Sequence, residues 1–130
     1  MLIAQHFWGL DAALFAGLAA FLGHLFPVWL GFKGGKGVAV SLGILLALYW
    51  PVALLAFASW GAVLAAFRIS SLSALVTAVV TPIYMFAFHR LHETGLAVAL
   101  AVLVIVIHHE NIRRLLSGVE PRIGSKPKPA

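Results

Sequence analysis

A chain of 130 residues that is 62% hydrophobic and 10% charged lies far from a soluble domain, where about 45–50% of residues are apolar and about 25% charged. That composition, with a mean hydropathy of +1.03, excludes a water-soluble enzyme and implies an all-α, polytopic integral membrane bundle, whose helices satisfy their own backbone polar groups in lipid. The net charge of +5 does not imply a nucleic-acid partner, because the basic residues flank apolar segments as the positive-inside bias requires, and without cysteine there is no disulfide or thiolate chemistry.

The first apolar run, Phe7 to Leu22, is interrupted only by Asp11. Its alanines and glycines suit close helix packing. A carboxylate near a helix start reads as an N-cap or interfacial residue rather than an intramembrane proton site. The N-terminus lacks the charged start and cleavage site of a signal peptide.

Next comes Gly31-Phe32-Lys33-Gly34-Gly35-Lys36-Gly37, with four glycines and two lysines in seven residues. Glycines let successive backbone N–H groups turn inward into an anion-binding nest, and nearby lysines add charge. If Val38 opens a helix, its free N-terminal N–H groups point at the same spot. The nucleotide P-loop pattern fails, because Gly37 rather than Ser or Thr follows Lys36 and no alternating strand precedes the loop. Taken alone, the loop composition also suits a basic connection between membrane helices.

Val38 to Tyr49 reads as a helix, Trp50-Pro51 as a turn with proline at a first helical position, and Val52 to Phe67 as a second helix. Arg68 ends it. Ser70, Ser71 and Ser73 are N-cap candidates for a helix to about Phe88. After the polar His89-Arg90-Leu91-His92-Glu93 connection, Leu96 to Ile107 runs without a break into His108-His109-Glu110-Asn111, and the stretch from Arg122 to Ala130 is expected to be a disordered cytoplasmic tail. The pattern predicts about five transmembrane segments, near 6–22, 38–50, 52–67, 70–88 and 94–108. With the glycine loop in the cytoplasm, Lys33, Lys36, Arg68, Arg113, Arg114, Arg122, Lys126 and Lys128 share its side and only Arg90 lies opposite. The glycine loop and His108 therefore meet at one membrane face.

His108, Asn111, Ile112 and Leu115 follow helical spacing, so one face of the emerging helix presents an imidazole and an amide. Such an imidazole can take a proton near neutral pH. His109, Glu110 and Arg113 read as residues meeting headgroups. Adjacent His108 and His109 diverge by about 100° on a helix, and His89, His92 and Glu93 fall on the opposite face without a zincin pattern, so no metal is expected.

Two motifs then stand together: Gly23-His24-x-x-Pro27-x-x-Leu30-x-Phe32-Lys33-Gly34-Gly35-Lys36-Gly37-Val38-Ala39, and His108-x-x-Asn111-Ile112-x-Arg114-Leu115-x-x-Gly118-x-Glu120. The pair resembles the second and third signature motifs of the bacterial membrane acyl-phosphate:glycerol-3-phosphate acyltransferases, the PlsY family. The resemblance implies a multi-pass inner-membrane enzyme, with both motifs and the C-terminus cytoplasmic. It would move a fatty acyl group from acyl phosphate to the sn-1 hydroxyl of glycerol 3-phosphate, giving lysophosphatidic acid among membrane lipids and needing no cofactor. It carries phosphate or substrate binding to Lys33, Gly34, Gly35, Lys36, Gly37 and Glu120, and catalysis to His108 and Asn111. Glu120 is alternatively an anchor for a loop through an arginine such as Arg114. His109 stands where the family often has arginine, and Val40 where threonine is common. The resemblance covers the C-terminal two-thirds of the family fold, with residues 1–121 as the membrane acyltransferase domain. It implies that two helices and a first motif, which would line the same site, precede this region, so that the chain alone lacks part of the machinery.

Two other readings fit the residues. A small transporter or channel subunit for an anionic metabolite would use the helices and the nest but not the His108–Asn111 pair, and a structural subunit would use its basic loops on anionic lipid. The His-x-x-x-x-Asp acyltransferase pattern is excluded, because Trp29 lies five residues after His24 and Arg113 five after His108.

Overall fold

The computed structural model describes residues 1–27, 31 and 35–126. Every element among them is a helix: α1 (Leu2–Leu25), α2 (Val38–Leu48), α3 (Trp50–Phe67), α4 (Ser70–Ala87), α5 (Leu91–Ile107) and α6 (His109–Leu116). The expected segments occupy the expected places, with different lengths. α1, α3 and α4 are long and apolar enough to cross a membrane, and α5 qualifies when counted with α6, from which it is bent by 63°. α2, with 11 residues, is about 16 Å long against the roughly 30 Å of a hydrocarbon core. Apolar residues continue past its C-terminal end into α3, where the extended Tyr49 stops it, and Gly37 opens it after the basic loop.

Backbone chemistry sets the boundaries. α1 carries a break at Gly9 (φ 83°, ψ −172°), a conformation favourable to glycine alone. Asp11 follows two residues later, exposed, in the first turn beyond the break rather than at a cap. Gly37 caps α2 in the left-handed region at φ 77°. Pro51 sits in the first turn of α3, and Arg68 stops that helix at φ 59°. α4 continues through Pro82 as one element.

α4 packs between α3 and α5, α2 lies on α3, and α1 crosses α2 and α5. Gly17 allows that crossing: a Cβ there would lie 3.4 Å from Ile44 Cγ2 and 3.5 Å from Leu96 Cδ2, the close approach that small residues permit between membrane helices. Phe21, Leu45, Val52, Met85 and Leu100 centre the core. Polar Ser73, Thr77, Thr81, Glu93, His108 and Asn111 are buried, while Phe7, Trp8, Phe15, Phe57 and Phe86 face outward. A chain that hides hydroxyls and displays aromatics is arranged for lipid.

At one end Arg90 lies 4.7 Å over the Tyr49 ring and 2.6 Å from Glu93, while Tyr49 and Phe88 meet edge-on at 5.5 Å. The α2–α3 joint and the α4–α5 turn therefore share that end. Lys36, Arg68 and the α5–α6 bend gather at the other, as the charge distribution requires.

Gly37 is the tightest joint: besides its positive φ, an added Cβ would lie 2.6 Å from Phe21 Cζ and 3.3 Å from Leu25 Cδ2. Gly37→Ala should lower stability by about 1–3 kcal/mol through strain and overpacking. Gly43→Ala, inside α2 with open space around it, should be neutral or stabilising by up to about 1 kcal/mol. Thermal unfolding of both variants in detergent checks the contrast.

Candidate functional site

His108 closes α5 with non-helical dihedrals (φ −88°, ψ 13°), and α6 departs from there. The bend turns α6 across the bundle end so that Asn111, the residue of α6 that is buried, faces the start of α2. After α6 the chain reverses at Gly118, φ 71°. The Gly118 amide bonds the Leu115 carbonyl at 3.1 Å and the Val119 amide bonds the Arg114 carbonyl at 2.9 Å, the pairing of a Schellman C-cap. That reversal returns Glu120 onto α6.

Glu120 is the hub. Its Oε1 accepts from Asn111 Nδ2 at 2.6 Å and from Ser71 Oγ at 2.7 Å, and its Oε2 accepts from Arg114 Nε at 2.6 Å. Asn111 Oδ1 in turn accepts from Lys36 Nζ. The amide orientation is fixed by its neighbours, since an ammonium only donates and a carboxylate only accepts. One chain of charge-assisted bonds thus links the glycine loop, α4, α6 and the segment that returns after α6.

His108 is 2% exposed, and its Nδ1 lies 2.7 Å from the Val104 carbonyl. A carbonyl can only accept, so Nδ1 carries the proton and Nε2 is left as the acceptor nitrogen of the neutral ring. A cavity of about 670 Å³ opens beside these groups. Lys36, His108, Asn111, Arg114 and Glu120 form its polar end, and Leu42, Phe57 and Trp60 wall its apolar side.

Lys36, His108, Asn111 and Glu120 are therefore brought together. Gly37 caps the adjoining helix, and Gly35 gives the loop a close approach to His24, whose Nε2 would lie 2.6 Å from an added Cβ. Lys33 and Gly34 lie outside the described residues. His109, Glu110 and Arg113 are exposed. Arg114 holds Glu120, the anchoring contact considered from the sequence. Ser71 was legible only as an N-cap candidate; α4 is instead capped by the extended Ile69, without a side-chain bond, and the Ser71 hydroxyl reaches Glu120 across 49 positions of sequence. Within the stretch from Arg122 to Ala130 that the sequence suggests is a disordered tail, the Ile123 amide bonds the Arg68 carbonyl at 2.7 Å and Gly124 turns at φ 78°, while residues 127–130 lie outside the described residues.

Burial alone would raise the Glu120 pKa, but the bonds from Ser71, Asn111 and Arg114 together with the Arg114 charge outweigh it, so the carboxyl titrates below its ordinary value. A depressed carboxylate contributes stability in full above the ordinary glutamate range and loses it as pH falls through the lowered value. Hydrogen exchange at the Ile123 amide should therefore show a protection factor that is constant near neutrality and falls only in acid. In Glu120→Gln it should be reduced severalfold already at pH 7, because a neutral amide replaces the charged acceptor.

The glycerol-3-phosphate acyltransferase family model matches residues 1–118. A glycerol-3-phosphate acyltransferase of Rhodopseudomonas palustris (strain BisB5) is 53% identical over 126 residues, covering 97% of this chain and 64% of the relative. One from Cereibacter sphaeroides (strain ATCC 17025 / ATH 2.4.3) is 52% identical over 126 residues, 97% of this chain and 60% of its own length. Crystal structures of PlsY (YgiH), an integral membrane glycerol 3-phosphate acyltransferase, in its glycerol 3-phosphate and lysophosphatidic acid forms, each superpose with a TM-score of 0.90 at 39% identity. They cover 95% of this chain and 63% and 64% of theirs. The chain thus spans less than two thirds of the length of these relatives. With its two motifs converging on one cavity at the end of an all-helical, multi-pass membrane bundle, the chain belongs to the glycerol-3-phosphate acyltransferase family.

Proposed function

We propose that this chain carries the phosphate-binding and acyl-transfer region of an enzyme that moves a fatty acyl group from acyl phosphate to the sn-1 hydroxyl of glycerol 3-phosphate. The observation that carries the reading is the two-sided cavity: cationic and hydrogen-bonding at the bundle end, apolar along Leu42, Phe57 and Trp60. Such a cavity suits a phosphate-headed molecule with a hydrocarbon chain. The relatives' names and the two ligand forms of PlsY support glycerol 3-phosphate as the acceptor and lysophosphatidic acid as the product; acyl phosphate as the donor rests on the two motifs.

Acyl phosphate is already activated, so no acyl-enzyme is needed. In the proposed step the sn-1 hydroxyl oxygen attacks the acyl carbonyl, the carbon–oxygen bond to phosphate breaks, and inorganic phosphate leaves with the bonding pair. Lys36 and the N–H groups at the start of α2 neutralise phosphate charge as it develops. The hydroxyl proton passes to His108 Nε2, the nitrogen left free by the Val104 bond, or to the substrate phosphate with His108 orienting the hydroxyl. Asn111 holds Lys36 in place and Glu120 holds Asn111. Lys33 and Gly34 join the phosphate-binding loop in this reading. By the positive-inside distribution the site faces the cytoplasm from the bacterial inner membrane.

The test is transfer from palmitoyl phosphate to labelled glycerol 3-phosphate in proteoliposomes, using this chain and a form that also carries the part of the relatives' length it does not span. Lys36→Ala should lower kcat/KM by about 10²–10³-fold, as loss of a charge-stabilising donor does. His108→Ala should lower kcat by about 10²–10⁴-fold if it transfers the proton. Lysophosphatidic acid from neither form would overturn the enzyme reading, and selective flux of an anion through the same liposomes would replace it with a transporter.

A further inference from the structure

The charges around the larger cavity do not cancel. Lys36, Arg114, Glu120 and Arg122 are its charged lining residues. Arg114 and Glu120 pair with one another, Nε to Oε2, at 2.6 Å. Lys36 donates to the neutral amide of Asn111, and Arg122 has no carboxylate within ion-pair distance among the described residues. Two positive charges are therefore left over, and the acyl-transfer reading above uses only Lys36.

The backbone delivers Arg122 to that wall. On one side, Pro121 has its φ fixed by its own ring and Glu120 is tied to α4 and α6. On the other, the Ile123 amide donates to the Arg68 carbonyl at 2.7 Å, at the corner between α3 and α4. The Arg122 carbonyl itself accepts from the Ser125 amide at 3.1 Å and from Ser125 Oγ at 2.6 Å. Pro121, Arg122 and Ile123 all line the cavity, so the segment returning after α6 is one of its walls. Pinned on both sides, this backbone keeps the exposed Arg122 side chain at the cavity.

We propose that Arg122 is a second phosphate-binding residue of this cavity: its guanidinium takes the phosphate of one substrate while Lys36 and the start of α2 take that of the other. An arginine presents a planar fork of N–H donors that matches two phosphate oxygens at once, whereas a lysine ammonium is a point charge. A single ammonium leaves the second of two neighbouring phosphates uncompensated, and like charges repel more strongly in a confined, partly dehydrated space than in water. The leftover charge at Arg122 offsets that repulsion. Identifying the two phosphates as those of the substrates rests on the acyl-transfer reading, whereas a phosphate site at Arg122 does not.

Kinetics in the proteoliposomes identify the substrate. Arg122→Gln should raise one KM, that for glycerol 3-phosphate or that for palmitoyl phosphate, by about 10-fold with kcat changed less than about twofold, the loss expected for one charge-assisted contact. The KM that moves names the phosphate held there. Arg122→Lys should recover part of the affinity, since it keeps the charge without the fork. Protection of the Ile123 amide from exchange should be unchanged in both variants, which separates binding from a structural role. If no form of the protein transfers acyl groups, inorganic phosphate still tests the site. A phosphorus NMR titration of this chain should then show phosphate binding that persists in Lys36→Ala and is lost when Arg122→Gln is added. Unchanged KM values for both substrates, or phosphate binding indifferent to Arg122→Gln, would overturn the proposal and return Arg122 to the residues that meet headgroups.

Discussion

Glu120 is the group on which the bundle end depends. Its two oxygens take bonds from α4, α6 and the arginine one turn along α6, and through Asn111 they reach the lysine of the glycine loop. Lys36, Ser71 and the Asn111–Glu120 pair come from three distant parts of the sequence. In a protein whose hydrophobic side chains are as well satisfied by lipid as by one another, polar bonds of this kind join close packing in fixing relative helix position. A charged acceptor with three donors also resists rearrangement, because breaking any one bond leaves a buried charge short of a partner.

The two ends of the bundle are built differently. At the Arg90 end a cation lies over an aromatic ring and against a buried carboxylate, Glu93, which closes the turn. At the Lys36 end the cations gather around open space. Both of these carboxylates pair with an arginine, but only Glu120 also reaches the groups that line the larger cavity. Short polar contacts seal one end and leave the other receptive.

Much of this was legible in the sequence. The helices follow from apolar runs punctuated by Gly37, Pro51, Arg68 and the polar His89–Glu93 turn, and the meeting of Lys36 with Asn111 follows from the four helical passes, α2 to α5, between them. What was hidden has physical reasons. The break at Gly9 falls inside a continuous apolar stretch, where a glycine reads equally well as a packing residue such as Gly17. Ser71 looked like a cap because the choice between a local and a distant partner is made by the fold. The bend at His108 was invisible for a related reason: the helical spacing of His108, Asn111 and Leu115 continues straight through it.

The shortness of α2 has a consequence for the shape of the bundle end. α2 and α3 start from one joint, but α3, with 18 residues, rises about 27 Å while α2 rises about 16 Å. Gly37 and the first N–H groups of α2 are therefore set back roughly 10 Å from the level at which α3 ends, and Lys36 and Val38 share a cavity with Phe57 and Trp60 rather than with the last turn of α3. The bundle end is therefore a recess rather than a flat face, and the larger cavity lies in it.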